Sequence, residues 1–267
     1  MKKMICAIFL CLLGATVCWG ANYGAADSDL GAGDILLSTG YIHLPSEWSA
    51  GDYATLLGFS DAPFEVLQSQ YYVQAGVGLG GGWQAYLRGG VADLEVEGGM
   101  VFTSSDVQGD LGPTVAGGFG GPVYRGKTLT VAPFVQGTYF SSYEDFAVGQ
   151  VDVTPSAAKT LVDAVERISY KDGWTVEGGL AFELRMEGAQ LYFGPLLLGG
   201  EMSVEEVVDL ADNTVYSDSY VPYVLEPATN VGAFAGIRWP LGEKGVLDLE
   251  SRMVGGFTVG LSLGTTF

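Results

Sequence analysis

The residues able to do chemistry are few and strongly biased in type. The 267 residues hold one histidine, three cysteines, 12 Lys+Arg and 31 Asp+Glu. His43 stands near Glu47 and Asp52, but general acid–base work needs a nucleophile or a second acid pair, and none accompanies it at recognisable spacing. It reads as an interfacial or loop histidine, and no catalytic residue is assigned. Seven carboxylates, Glu201, Glu205, Glu206, Asp209, Asp212, Asp218 and Glu226, could gather a divalent cation, yet their spacing fits no EF-hand loop and reads as a solvated acidic surface. The glycine run at 78–82 lacks the Lys-Ser/Thr and the following helix of a phosphate loop. No metal site or cofactor is expected. A net charge of −19 excludes a nucleic-acid role, because phosphate binding needs a basic field. What remains is a balanced set of four arginines, Arg88, Arg185, Arg238 and Arg252, and four carboxylates, Glu177, Glu183, Asp248 and Glu250.

These eight charges fall on the same face of segments that alternate with a period of two. The last eleven residues set the pattern: Phe257, Val259, Leu261, Leu263, Thr265 and Phe267 share one face, and Thr258, Gly260, Ser262, Gly264 and Thr266 the other. The same template fits 33–43, 69–79, 83–91, 112–123, 128–140, 174–184, 191–197, 231–239 and 247–251, and none of the ten apolar faces carries a charge. The opposite faces hold Gly, Thr, Gln, Tyr and the paired charges, the composition of a narrow lumen. A secreted soluble β-sandwich, the alternative, would turn a face rich in Lys and Glu to water.

Connection lengths point the same way. Short turns stand at 80–82, 124–127, 187–188 and 240–244, and long loops near 44–68, 93–111, 141–173 and 200–229; only the last connection, 253–255, breaks the alternation. Short turns at one end and long loops at the other mark an antiparallel, up-and-down transmembrane β-barrel, here of about ten strands, with roughly eight to twelve as the range. Aromatic residues form two girdles. Tyr41, Tyr71, Tyr139, Trp174 and Phe257 stand at the long-loop ends, and Trp83, Phe193, Trp239 and Phe267 at the short-turn ends, with Phe119 and Phe182 as exceptions. Within 141–173, Thr154 as N-cap, Pro155 at the first helical position and the stripe Leu161, Val162, Val165 and Ile168 predict a short helix. Pro133 and Pro195, which cannot donate to a closed ladder, predict bulges.

Lys2 and Lys3 followed by the apolar run 4–13 read as a secretory signal peptide, cleaved after Gly20. A lipoprotein reading through Cys18 is secondary. Cleavage removes Cys6, Cys11 and Cys18 and takes the charge from −19 to −21, leaving 21–32 as a short flexible segment before the barrel of 33–267. With its signal, cysteine-free mature chain, alternating strands and terminal Phe267, the chain resembles the outer-membrane β-barrel proteins of Gram-negative bacteria. The resemblance implies an outer-membrane location, contact with outer-membrane lipid, and recognition of Phe257, Val259, Leu261, Leu263 and Phe267 by the barrel-assembly machinery. It implies no activity. The leading expectation is a structural or surface-interaction protein whose long loops meet an external partner and whose lumen charges form a salt-bridged plug. The alternative is a narrow channel for ions or small solutes along those charges, and the distant alternative is a hydrolase or acyl-transfer enzyme at the rim.

Overall fold

The computed structural model describes residues 30–50, 63–100, 105–152, 161–210 and 221–267. The expected signal peptide, Asp52, the expected helix start at 154–158, Asp212 and Asp218 lie outside them. Thirteen strands and no helix occur among the described residues: β1 (Ile35–Ser49), β2 (Phe64–Gly80), β3 (Trp83–Met100), β4 (Ser105–Gly120), β5 (Tyr124–Arg125), β6 (Leu129–Phe140), β7 (Tyr143–Asp152), β8 (Leu161–Met186), β9 (Ala189–Leu210), β10 (Val221–Pro227), β11 (Val231–Leu241), β12 (Gly245–Met253) and β13 (Phe257–Thr266). Ten of them, β1-β2-β3-β4-β6-β8-β9-β11-β12-β13, pair antiparallel in sequence order. The ring closes where 36–43 of β1 meet 259–266 of β13. Closure satisfies the sheet edges, which a hydrocarbon environment requires.

The alternation puts the apolar faces outside. Leu87, Val115, Val176, Leu197 and Val259 are exposed, whereas their neighbours Arg88, Ala116, Glu177, Leu196 and Thr258 are buried. Ten residue steps separate Phe257 from Phe267, Trp174 from Leu184 and Tyr139 from Leu129; at roughly 3.3 Å per step and a tilt of about 40° they span about 25 Å, the height of a membrane band. The girdle residues all sit on the outer surface. Tyr41 packs on Tyr71 at 4.7 Å, and Tyr139 pairs across strands with Trp174. The two exceptions join the lower girdle: Phe119 stacks on Trp83 at 4.9 Å and Phe182 lies 6.0 Å from Phe193. Strand stagger brings them there. At the short-turn end Glu187 and Gly188 close a two-residue hairpin with Arg185 opposite Gln190, and Gly188 takes the positive φ of 76° that the turn requires.

The long connections differ from expectation. Much of 44–68, 93–111, 141–173 and 200–229 is strand, because β1 to β4, β8 and β9 run on past the upper girdle, β7 continues the line of β6, and β10 leads into β11. β10 returns to β1 at Trp48 and Ser49, above the short β12–β13 hairpin. The expected helix is overturned over 161–168. That stretch is strand, paired to β7 throughout and to β9 from Ala164 on, and these ladders outweigh a weak helical preference in Leu-Val-Asp-Ala-Val-Glu-Arg-Ile.

The extension is built inside out relative to the band. Leu94, Val96, Val107, Ile168, Val204 and Leu225 point inward and share a core with Trp48, Phe140 and Tyr170, while Glu95, Glu97, Asp106 and Arg167 face outward. Two strands change phase at the boundary: β8 slips by one residue between Lys171 and Trp174, with Asp172 at φ 52°, and β4 slips opposite Ala92 and Leu94. The prolines do not create bulges. Pro133 sits where the β4–β6 ladder ends, its carbonyl accepting from Gly121 N at 3.2 Å, so its missing donor costs little. Pro195 keeps register with Ala233 of β11, and the β8–β9 ladder holds the same register from Gly179 to Phe182 on either side of it.

Candidate functional site: the filled lumen

Seven of the eight predicted lumen charges are inside the ring. Arg88, Glu177, Glu183, Asp248, Glu250 and Arg252 are buried, and the Arg238 side chain is 16% exposed. Arg185 differs. It stands at the short-turn mouth and is exposed, because the hairpin at 187–188 ends the wall before its side chain can reach the interior.

Strand register sets some of the pairs and reach across the lumen sets the others. Arg238 of β11 lies directly opposite Asp248 of β12, and its Nε and Nη2 donate to both carboxylate oxygens at 2.9–3.1 Å, a bidentate fork. Arg252 of β12 reaches across the lumen to Glu177 of β8, and its Nε donates to Thr258 Oγ1 at 3.3 Å. Gln136 Nε2 donates to the other Glu177 oxygen at 3.2 Å, and the Tyr86 hydroxyl donates to Gln136 Oε1. Arg88 Nη2 donates to Gln74 Oε1 at 2.8 Å and its guanidinium lies 4.0 Å from the centre of the Tyr72 ring. Tyr192 donates to Glu250 at 3.1 Å, and Gln190 to Glu183 at 2.9 Å. Charges removed from water are tolerable only when matched and hydrogen-bonded in this way.

Glycines make the tyrosines fit. A Cβ on Gly118 would lie 2.3 Å from the Tyr86 ring, and one on Gly236 would lie 2.2 Å from Tyr192, so each ring rests against bare backbone of the wall. The filling is nearly complete. A cavity of about 20 Å³ lies beside Arg88 and Arg238, and one of about 50 Å³ lies between Gln136, Glu177 and the apolar residues above them. Wider cavities of about 370 and 600 Å³ open at the short-turn mouth, where Arg185 and Leu30 line both.

Sequence reasoning missed Gln136 and Thr258 as links in this network; their places on the charged faces were the available signal. It also misplaced Glu206. That residue is 1% exposed rather than part of a solvated acidic surface, because Glu205 and Glu206 are consecutive in a strand and one of them must face in. Glu205 faces out, to Lys171, and Arg167 bridges to Asp209 at 2.9 Å.

His43 faces outward on β1, just above the upper girdle, and its Nδ1 lies 3.3 Å from Ser69 Oγ. The nearby Asp93 carboxylate accepts from Ser69 N at 2.6 Å. A triad would need that carboxylate on the imidazole.

Fold and lumen together define a transmembrane β-barrel of the outer-membrane type. No protein-family profile matches the chain, and no curated protein matches it. Solved structures similar to it include outer membrane proteins and channels. The TodX monoaromatic hydrocarbon channel deltaS2 mutant aligns with 92% of this chain and 69% of its own at 9% identity and a TM-score of 0.44. An outer membrane channel from Pseudomonas putida F1 aligns with 92% of this chain and 100% of its own at 11% identity and a TM-score of 0.42. The outer membrane protein OprG from Pseudomonas aeruginosa aligns with 89% of this chain and 97% of its own at 11% identity and a TM-score of 0.38.

Proposed function

We propose that this chain is an outer-membrane protein, exported through a cleaved signal peptide, whose plugged barrel anchors a surface-interaction module formed by the extension. The observation that carries the reading is the hydrogen-bonded lumen, with cavities of about 20 and 50 Å³ beside the arginines and their carboxylates among the described residues. Arg88, Glu177, Glu183, Arg238, Asp248, Glu250 and Arg252 act here as internal struts. The lipid-facing strand of Phe257, Val259, Leu261, Leu263 and Phe267 is the part offered to the barrel-assembly machinery. The outer face of the extension, whose charged residues are mostly acidic, is the surface offered to an external partner.

A channel is the second reading, favoured by the mouth cavities, which lead from the short-turn end toward the Arg238–Asp248 pair. The deciding experiment is single-channel conductance of the mature chain in planar bilayers, alongside Arg88→Ala and Arg238→Ala, with insertion checked by heat-dependent gel mobility. An anchor gives a silent bilayer. Discrete steps in the parent protein, altered by either substitution, replace the anchor with a channel. We assign no enzymatic step to the His43–Ser69 contact.

A further inference from the structure

The positive charges of this acidic chain gather toward one end of the barrel. Ten of the twelve Lys and Arg follow residue 20, and four of them, Arg125, Lys127, Arg185 and Lys244, stand at the short-turn end, the periplasmic side of an outer-membrane barrel. The described acids at that end are Asp34, Glu187 and Glu243. Register puts two of the four cations on the lumen side. Arg125 of β5 lies opposite Thr130 of β6, which is buried inside the ring, while its neighbour Tyr124 is exposed on the outer face. Arg185 of β8 lies opposite Gln190, two residues beyond the buried Glu183 and on the same face. Both arginines line the mouth cavity of about 370 Å³, together with Thr130 and the backbone of Gly82 and Gly126. They are the charged side chains of that lining. Asp34 accepts from Gly31 N at 2.7 Å and lines the wider cavity instead, with Glu243 and Lys244.

We propose that the cavity between Arg125 and Arg185 binds a small dianion, a phosphate or a dicarboxylate, that enters from the periplasmic side. Its volume lies within the roughly 300–1,000 Å³ of small-molecule sites. Two guanidiniums on one cavity match two negative charges, and the planar fork of each fits the paired oxygens of a carboxylate or a phosphate. Each guanidinium carries five N–H donors, so one that is engaged within the wall still has donors to turn to the cavity. Glu183, the acid next above them, accepts from Gln190 Nε2 at 2.9 Å, and one carboxylate beside two guanidiniums leaves the lining positive. The Thr130 hydroxyl adds a donor at the inner end. The site lies below the struts and needs no open lumen, so it stands or falls apart from the anchor reading, which conductance tests.

Calorimetric titration of the full mature chain in detergent tests it, with inorganic phosphate, succinate and acetate as probes. At least one of the two dianions should bind one-to-one, and the one that does identifies the acid group; the monoanion acetate should bind far more weakly. Arg125→Gln and Arg185→Gln should each weaken that binding about tenfold or more, as expected for loss of a charge-assisted hydrogen bond, and the double variant should abolish it. Both side chains are exposed at the mouth, so the barrel should still form, as heat-dependent gel mobility reports. Should a glutamine variant fail to fold, Arg125→Lys and Arg185→Lys, which keep the charge and lose the fork, carry the same comparison with a smaller loss. Lys127→Gln removes a charge from the same turn but outside the lining and should leave the affinity nearly unchanged. Failure of both dianions to bind saturably overturns the proposal. So does binding that survives in the double variant, that Lys127→Gln weakens as much as either arginine change, or that acetate matches. Binding that appears only after Asp27→Asn/Asp29→Asn overturns it as well, because the chain's own carboxylates before Leu30 then hold the arginines.

Discussion

The membrane band and the extension use the same strands with opposite polarity. In the band, Leu87 meets lipid and Arg88 is buried; a few residues further along the same β3 strand, Leu94 and Val96 are buried and Glu95 and Glu97 meet water. Backbone pairing is indifferent to the change, since both regions satisfy their ladders within the sheet. What differs is the solvent. Lipid rewards an apolar exterior and leaves the interior to hydrogen bonds and ion pairs, whereas water rewards an apolar interior. One chain thereby holds two cores, a polar one fixed by geometry and an apolar one fixed by burial.

The sharpest way to break the polar core is to orphan one of its charges. Arg252→Met should leave Glu177 buried without its arginine and cost about 3–5 kcal/mol, read as a lowered urea midpoint in detergent; adding Glu177→Gln should recover a good part of it. Next in size is the outer surface of the band. Leu261→Arg should cost roughly 2–4 kcal/mol, since it places a charge in lipid near mid-depth. Little effect on refolding in bilayers would mean that β13 does not face lipid there. The apolar core should show its weakness in alkali. Burial pushes the Tyr143 hydroxyl up to about 12, from an ordinary value of 10.0. A group raised in the folded state favours folding below its unfolded value and loses that contribution as pH climbs, so the extension should loosen between about pH 10 and 12. Tyr143→Phe should weaken that transition in a fluorescence titration without abolishing it, because burial also pushes the Tyr170 and Tyr223 hydroxyls up. The smallest effect belongs to the exterior of the extension: Val148, 72% exposed, should accept Asp within about 0.5 kcal/mol, in contrast to Leu261.

The band is legible in the sequence because its outward faces are uncharged over ten segments, a pattern that water-facing strands rarely sustain. The lumen charges are legible for the same reason, because they fall on the complementary faces and never on the apolar ones. Arg185 escapes because periodicity gives a residue's side but not its height. The extension is harder to read. Asp93-Leu94-Glu95-Val96-Glu97 alternates as strictly as any band strand, yet with its charges outward it looks like the polar loop that a membrane template expects. The stretch 161–168 carries apolar residues at both helical and strand spacings, and only its two neighbours decide. Gln136 and Glu206 gain their meaning from other strands, which no local period reveals.

The one-residue slip at Asp172 works like a frameshift in a repeating text. It swaps which residues of the upper β8 strand are read as inside, admitting Glu166, Ile168 and Tyr170 and sending Arg167 out. Deleting Asp172 would remove the extra residue and let β8 alternate without a break, with Glu166, Ile168 and Tyr170 still inside and Arg167 still outside. A one-residue change of length at this joint can thus be absorbed there, while each half of the molecule keeps its own inside face.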